Sequence, residues 1–129
     1  MNRLLTLTAL IEALKGLALI AVPTAVVRLL LGGETSGVGI PLGRVAGVAL
    51  LALGAACWLA SYDEVSCAAR GAVSAMVLYN LGAALVLGTA GIQSQPIGIA
   101  LWPAVILHAA MGAWCVTQLL GKQSRKTQE

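Results

Sequence analysis

The chain has 129 residues, 59% of them hydrophobic and 10% charged, with a formal net charge of +3 and no phenylalanine. A soluble domain carries roughly a quarter charged residues, so this chain has too few to clothe a water-facing surface. Its mean hydropathy of +0.91 makes lipid part of its solvent. The surplus positive charge does not indicate nucleic acid, because no basic stretch is interleaved with aromatic residues.

A bilayer-crossing helix needs about 20 predominantly apolar residues. Four apolar segments meet that length, roughly 4–22, 43–60, 68–90 and 98–120. The ten-residue alternation of a membrane β-barrel is absent. The expectation is an all-α fold: an integral membrane four-helix bundle, residues 1–129 forming one transmembrane domain.

The first segment begins with Asn2-Arg3 like a secretory leader, but Glu12 and Lys15 interrupt what would be its apolar core, which predicts a retained helix. These two charges are three residues apart and face the same way, with Thr8 one turn before Glu12. One reading is a self-neutralising ion pair that fixes helix packing. Another is a carboxylate that exchanges a proton or holds a cationic ligand. A third is snorkelling to the headgroups. The choice depends on the outer end of the helix: Pro23 either starts a short second helix, Thr24 to Leu31, lying in the interface with Arg28, or sits in one bent helix that continues to Leu31.

Residues 32–41, GGETSGVGIP, read as a flexible outer loop, and no Gly-Lys-Ser/Thr follows the glycines as a Walker loop requires. Pro41 suits the opening turn of the second span. That span presents Gly43, Gly47 and Gly54 on one face. Gly43 and Gly47 form a Gly-x-x-x-Gly pair, which serves either intramolecular packing or a homodimer seam. Arg44 reads as an interface anchor that pairs with Glu34 or a lipid phosphate. Trp58 and Tyr62 mark the opposite interface, where amphipathic rings settle.

The short connection SYDEVSC predicts spans two and three as antiparallel neighbours. Asp63 or Ser66 is positioned to cap the third span, and Asp63 and Glu64 read as cap and solvated turn. The third span carries Arg70 one turn in and Tyr79 and Asn80 at its centre. For the fourth, Ser94 or Gln95 reads as the cap and Pro96 as a first-turn residue. Trp102-Pro103 lies near the outer interface. His108, Met111, Cys115 and Gln118 recur at helical spacing and share a face, with Gly112 beside them for close approach. His108 reads as a neutral side chain bonded to Asn80, Tyr79 or Glu12, since buried polar groups are usually paired. A proton relay or a metal or haem ligand is the alternative.

Lys122, Arg125 and Lys126 follow the last span, and Arg3 and Arg70 share their side if four spans alternate. The positive-inside rule then puts both termini in the cytoplasm. Cys57, Cys67 and Cys115 all approach that reducing side, so free thiols are expected. No Cys-x-x-Cys pair is present, and the ligand spacing gives no support for a metal site.

Gly16 with Pro23, then Arg44, Gly47 and Gly54 in GRVAGVALLALG, resemble the small four-helix DoxX-like bacterial membrane proteins. Tyr79, Asn80, Trp102, Pro103 and His108, in LYNLGAALVL and LWPAVILHAAMGAW, are similar to segments of other bacterial four-span proteins. The DoxX-like resemblance implies a bacterial inner-membrane protein and a membrane subunit or partner of an oxidoreductase system. The chain is also similar to small multidrug resistance transporters, which have four helices and a central glutamate in the first; Glu12 matches it. It departs from them in carrying Lys15 and in showing no aromatic cage.

The expected function is a non-catalytic membrane subunit or scaffold that packs against partner helices or a second copy of itself. The alternative is a proton-coupled transporter or ligand-binding protein working as a dimer, with Glu12, Lys15, Asn80 and His108 as its site. No resident cofactor is expected; a quinone held near Trp102 and His108 is the third reading.

Overall fold

The computed structural model describes residues 2–35, 37–62, 66–93 and 97–126, with side chains as far as 121. Five helices follow in chain order: α1 (Asn2–Ala21), α2 (Pro23–Leu31), α3 (Gly39–Ala60), α4 (Cys67–Gln93) and α5 (Leu101–Lys126). Among the described residues there is no strand. α1, α3, α4 and the Leu101–Gly121 stretch of α5 are each long and apolar enough to cross a bilayer. Four such helices in so apolar a chain make a small multi-pass membrane protein.

α1 stops at Pro23. Proline has no N–H to give to the carbonyl one turn back, and its ring clashes there, so Val22 leaves helical geometry at φ −135°, ψ 58°. The chain restarts as a nine-residue helix, α2, about 13 Å long and far too short to span. Of the two readings of this region, the separate short helix is the one found. α2 ends at Gly32, whose φ of 73° is left-handed and whose N–H closes on the Arg28 carbonyl. The free carbonyls at its C-terminus are taken by the connection between α4 and α5: Gly98 donates to Leu30 at 3.2 Å and Ala100 to Leu29 at 2.9 Å. A Cβ at Gly98 would run into the Leu29 carbonyl. α2 is thereby bound to the far side of the bundle through Leu29 and Leu30 of its last turn.

In lipid no hydrophobic force drives helices together, and close backbone approach takes its place. α3 lies along α1 on its glycine face. A Cβ at Gly47 would stand 2.7 Å from the Gly16 carbonyl, and one at Gly54 would stand 3.0 Å from the Ala9 carbonyl. Gly43 meets the Pro23 ring. α4 and α5 form the second pair, with Gly112 against Leu81 and Asn80, and Gly91 against Leu101 and Trp102.

The short 61–66 connection does not make α3 and α4 full neighbours. They share only a brief contact, because the glycine face of α3 is spent on α1 and α4 runs along α5. The two pairs join at the end that carries the termini. There Leu4, Leu5 and Ala9 of α1, Cys57 and Ala60 of α3, Ala69, Val73 and Met76 of α4, and Cys115 of α5 form one buried cluster. Cys57, Cys67 and Cys115 are free thiols, the first and last buried in it and Cys67 exposed at the start of α4. Ser66 caps α4, its Oγ accepting from the Ala69 N–H at 3.0 Å.

α5 starts at Leu101 rather than near residue 98, so Pro103 is the proline of its first turn, where the missing N–H is harmless. The cap residues read at Asp63, Ser94 and Gln95, with Glu64 and Pro96, lie outside the described residues, as do the side chains of Lys122, Arg125 and Lys126.

Overpacking a tight helix contact costs about 1–3 kcal/mol. Gly47→Ala is expected to destabilise the protein by roughly that amount in mixed-micelle unfolding, because backbone on both sides stops the helices from parting locally. Gly71→Ala, which meets nothing within 4 Å, is expected to be neutral or stabilising.

Candidate ligand-binding site

The polar side chains of the three central helices form a connected series. Glu12 is 2% exposed, and its Oε1 meets Lys15 Nζ at 2.8 Å, one turn along α1. Lys15 also donates across the bundle to the Tyr79 hydroxyl of α4 at 3.1 Å. Tyr79 stands edge-on to the His108 ring of α5, centroids 5.4 Å apart. His108 Nδ1 lies 2.9 Å from Asn80 Oδ1, and Asn80 Nδ2 donates to the Met76 carbonyl at 2.8 Å. Glu12, Lys15, Asn80 and His108 therefore come together as one cluster, and Tyr79 is its hub.

The series fixes the imidazole tautomer. The Met76 carbonyl only accepts, so the Asn80 amide must turn its NH2 that way and its oxygen toward His108. Nδ1 of His108 is then the protonated nitrogen, and Nε2 carries the free lone pair. Two buried oxygens near the other end of the series, Glu12 Oε2 and Thr8 Oγ1, have no hydrogen-bond partner among the described residues.

Beside this cluster lies a cleft of about 430 Å³ between the two helix pairs. Ala18 and Leu19 of α1, Leu50 of α3, Ala83, Val86 and Leu87 of α4, and Ala100 and Ala104 on the α5 side wall it. α2 roofs it with Val26, Leu29 and Leu30. Its polar lining consists of Lys15, Tyr79 and His108. The volume falls within the range of small-molecule sites, which are largely apolar with a few converging polar groups. Glu12 and Asn80 do not line it; they stand behind Lys15 and His108 and hold them in place.

The remaining sequence-derived residues sit elsewhere. Gly43, Gly47, Gly54 and Gly112 are inside the helix pairs. Arg44 is exposed and is not the partner of Glu34, which instead faces Arg28 at 3.9 Å with both side chains largely in solvent. That exposed contact contributes little. Trp58 and Tyr62 are exposed and stack edge-to-face at 5.9 Å near the termini. Trp102 is partly exposed at the opposite end. It is not part of the lining of this cleft, whereas His108 is. Among the described residues no three His, Cys, Asp or Glu side chains converge as a metal site would need.

Sequence reasoning missed α2 as a roof and Tyr79 as the hub. A signal for Tyr79 existed: a tyrosine in mid-span, away from the interfaces where tyrosines collect, needs a local partner for its hydroxyl. Nothing in the sequence of α2 said which helices it would cover.

Comparison with known proteins finds no matching family model, no matching curated protein and no matching solved structure.

Removing one member of a buried ion pair costs about 3–5 kcal/mol, while replacing both is often neutral. Lys15→Met is accordingly expected to be strongly destabilising, and Glu12→Gln added to it should recover most of the loss. Thermal unfolding of the single and double variants in the same detergent checks this; an unaltered Lys15→Met midpoint would show that the pair carries no structural weight.

Proposed function

We propose that the protein is a ligand-binding membrane protein of the bacterial inner membrane, with both termini cytoplasmic, that holds a lipophilic small molecule in the cleft beneath α2. The observation that carries this reading is the combination in one place of a ligand-sized apolar cleft and a single polar end built from Lys15, Tyr79 and His108. A merely structural polar cluster has no use for a cleft beside it, and an ordinary packing defect does not gather three hydrogen-bonding side chains on one wall.

The scaffold reading leaned on the small-residue faces as contact surfaces for partner helices. Those glycines are occupied within the chain: Gly47 by Gly16 and Ile20, Gly54 by Ala9 and Ala13. The transporter reading had Glu12 exchange the proton, His108 tune it and Asn80 orient the ligand. Glu12 is shielded, and the cleft meets Lys15 instead. Both features favour a site for an uncharged or weakly acidic lipophile over one for a cation. With the termini inside, the cleft belongs to the outer half of the bilayer, and the exposed Arg28 on α2 lies at the outer headgroup level.

The test is photolabelling of the full chain in nanodiscs with a diazirine-bearing alkyl alcohol, followed by peptide mapping. Labelling is expected to concentrate on Ala83, Val86 and Leu87. Ala104→Trp, which fills the cleft from α5, is expected to reduce it about tenfold, the loss of roughly 1.4 kcal/mol of binding. Uniform labelling of every lipid-facing residue, unchanged by Ala104→Trp, would overturn the reading.

A further inference from the structure

We propose that the ligand is a single-chain aliphatic carboxylic acid, bound in its un-ionised form, with its carboxyl group at Lys15, Tyr79 and His108 and its chain under α2. The inference rests on the reading of the cleft as a ligand site and names the class of molecule that site selects.

The argument begins with charge. Glu12 Oε1 and Lys15 Nζ are 2.8 Å apart and cancel one another. The polar end of the cleft therefore has no net charge for a ligand to neutralise. An ionised head would leave one charge unbalanced inside the membrane, where such charges are expensive. A cationic head would also approach Lys15, since the carboxylate behind it does not reach the cleft. A neutral head is the one that fits.

Hydrogen bonding then narrows the choice. Lys15 has three N–H donors; Glu12 takes one and Tyr79 another, which leaves one to give. The Tyr79 oxygen accepts from Lys15, and its own proton is directed at the Glu12 carboxylate behind it, so the remaining Lys15 N–H is the donor left for a ligand. His108 presents the opposite polarity. Its Nδ1 proton is committed to Asn80, and Nε2 can only accept. One end of one cleft thus offers a donor on the Lys15 side and an acceptor on the His108 side. The two aromatic rings that carry Tyr79 and His108 are only 5.4 Å apart between centroids.

An un-ionised carboxyl group presents the matching pair on a single carbon: a carbonyl oxygen that accepts and a hydroxyl that donates. An alcohol both donates and accepts, but through one oxygen, whereas the carboxyl group places its acceptor and its donor on two. An ester has the carbonyl and lacks the donor, so it leaves His108 Nε2 unpaired, and the acyl chains of intact bilayer lipids fail for the same reason. Beyond the head, the walls are aliphatic: Ala18, Leu19, Leu50, Val86, Leu87 and the α2 leucines. They suit a flexible saturated chain, with no further polar group placed along the cleft to recognise a second substituent.

Competition for the photolabel on the unaltered protein tests the proposal with four probes of equal chain length: decanoic acid, methyl decanoate, decanol and decylamine. Decanoic acid is expected to protect the Ala83–Leu87 region best. Methyl decanoate should be about tenfold weaker, the effect of one lost hydrogen bond at a buried site, decanol should fall between acid and ester, and decylamine should be weakest. In His108→Leu the gap between acid and ester should close to within about twofold, with ester protection retained. An ester that competes as well as the acid on the unaltered protein overturns the acid assignment while leaving the ligand site intact. Failure of all four probes, with labelling insensitive to Ala104→Trp, removes the ligand reading itself. Protection by the amine ahead of the acid overturns the charge argument.

Discussion

The hydrogen bond from Lys15 to Tyr79 is the polar join between the two halves of this protein. On one side of it stand α1 and α3, locked together by Gly16, Gly47 and Gly54; on the other stand α4 and α5, locked by Gly91 and Gly112. Apolar packing unites the halves near the termini, around Leu5, Cys57, Val73 and Cys115. Above that cluster the helices no longer fill the space between them. The Lys15–Tyr79 bond sits at the changeover from packed core to open cleft, and it closes the cleft at its inner end.

The cleft follows from a division of labour among small residues. α3 uses its glycines to approach α1, and its contact with α4 is brief. The same principle holds between α4 and α5. Two tight pairs in contact at one end must diverge at the other, and α2 is the element that spans the divergence. It belongs to the first pair by sequence and is held to the second through Gly98 and Ala100. Its carbonyls are bonded there because they are the unpaired C-terminal groups of a helix, so the attachment completes a requirement α2 would otherwise meet with water.

Much of this was legible in the residues. The four spans, the cap at Ser66, the break at Pro23, the pairing of Glu12 with Lys15 and the bond from His108 to Asn80 all follow from local rules: apolar length, side-chain capping, the missing proline N–H, and the need of buried polar groups for partners. What was not legible is which helices become neighbours. A short connection argues for adjacency, yet α3 prefers α1, and that preference depends on matching glycine positions across two helices that sequence periodicity treats separately. Of the two partners read for Arg44, Glu34 is not found beside it: the chain turns at Gly32, whose φ is positive, and Glu34 faces Arg28 of α2. The roof and the cleft beneath it depend on contacts distant in the chain and were invisible at the level of motif.

The chemistry of the cleft turns on a rotation about one helix. Successive residues advance about 100° around α1, so Glu12 and Lys15 lie about 60° apart. That angle is small enough for the two to touch and large enough to send them to different environments. Lys15 shares its face with Ala18 and Leu19, which wall the cleft. Glu12 shares its face with Leu5, Thr8, Ala9 and Gly16, which are buried inside the bundle. Had the order of the two residues been reversed, a carboxylate would face the cleft and its polar end would favour cations. As it stands, the carboxylate holds the ammonium group in place and cancels its charge, while the ammonium group is left to donate. The unpartnered oxygens of Glu12 and Thr8 lie on the buried face, so the cost of polar burial falls on the side away from the cleft. The bundle thereby carries a charged pair in its interior and still offers the cleft a neutral surface.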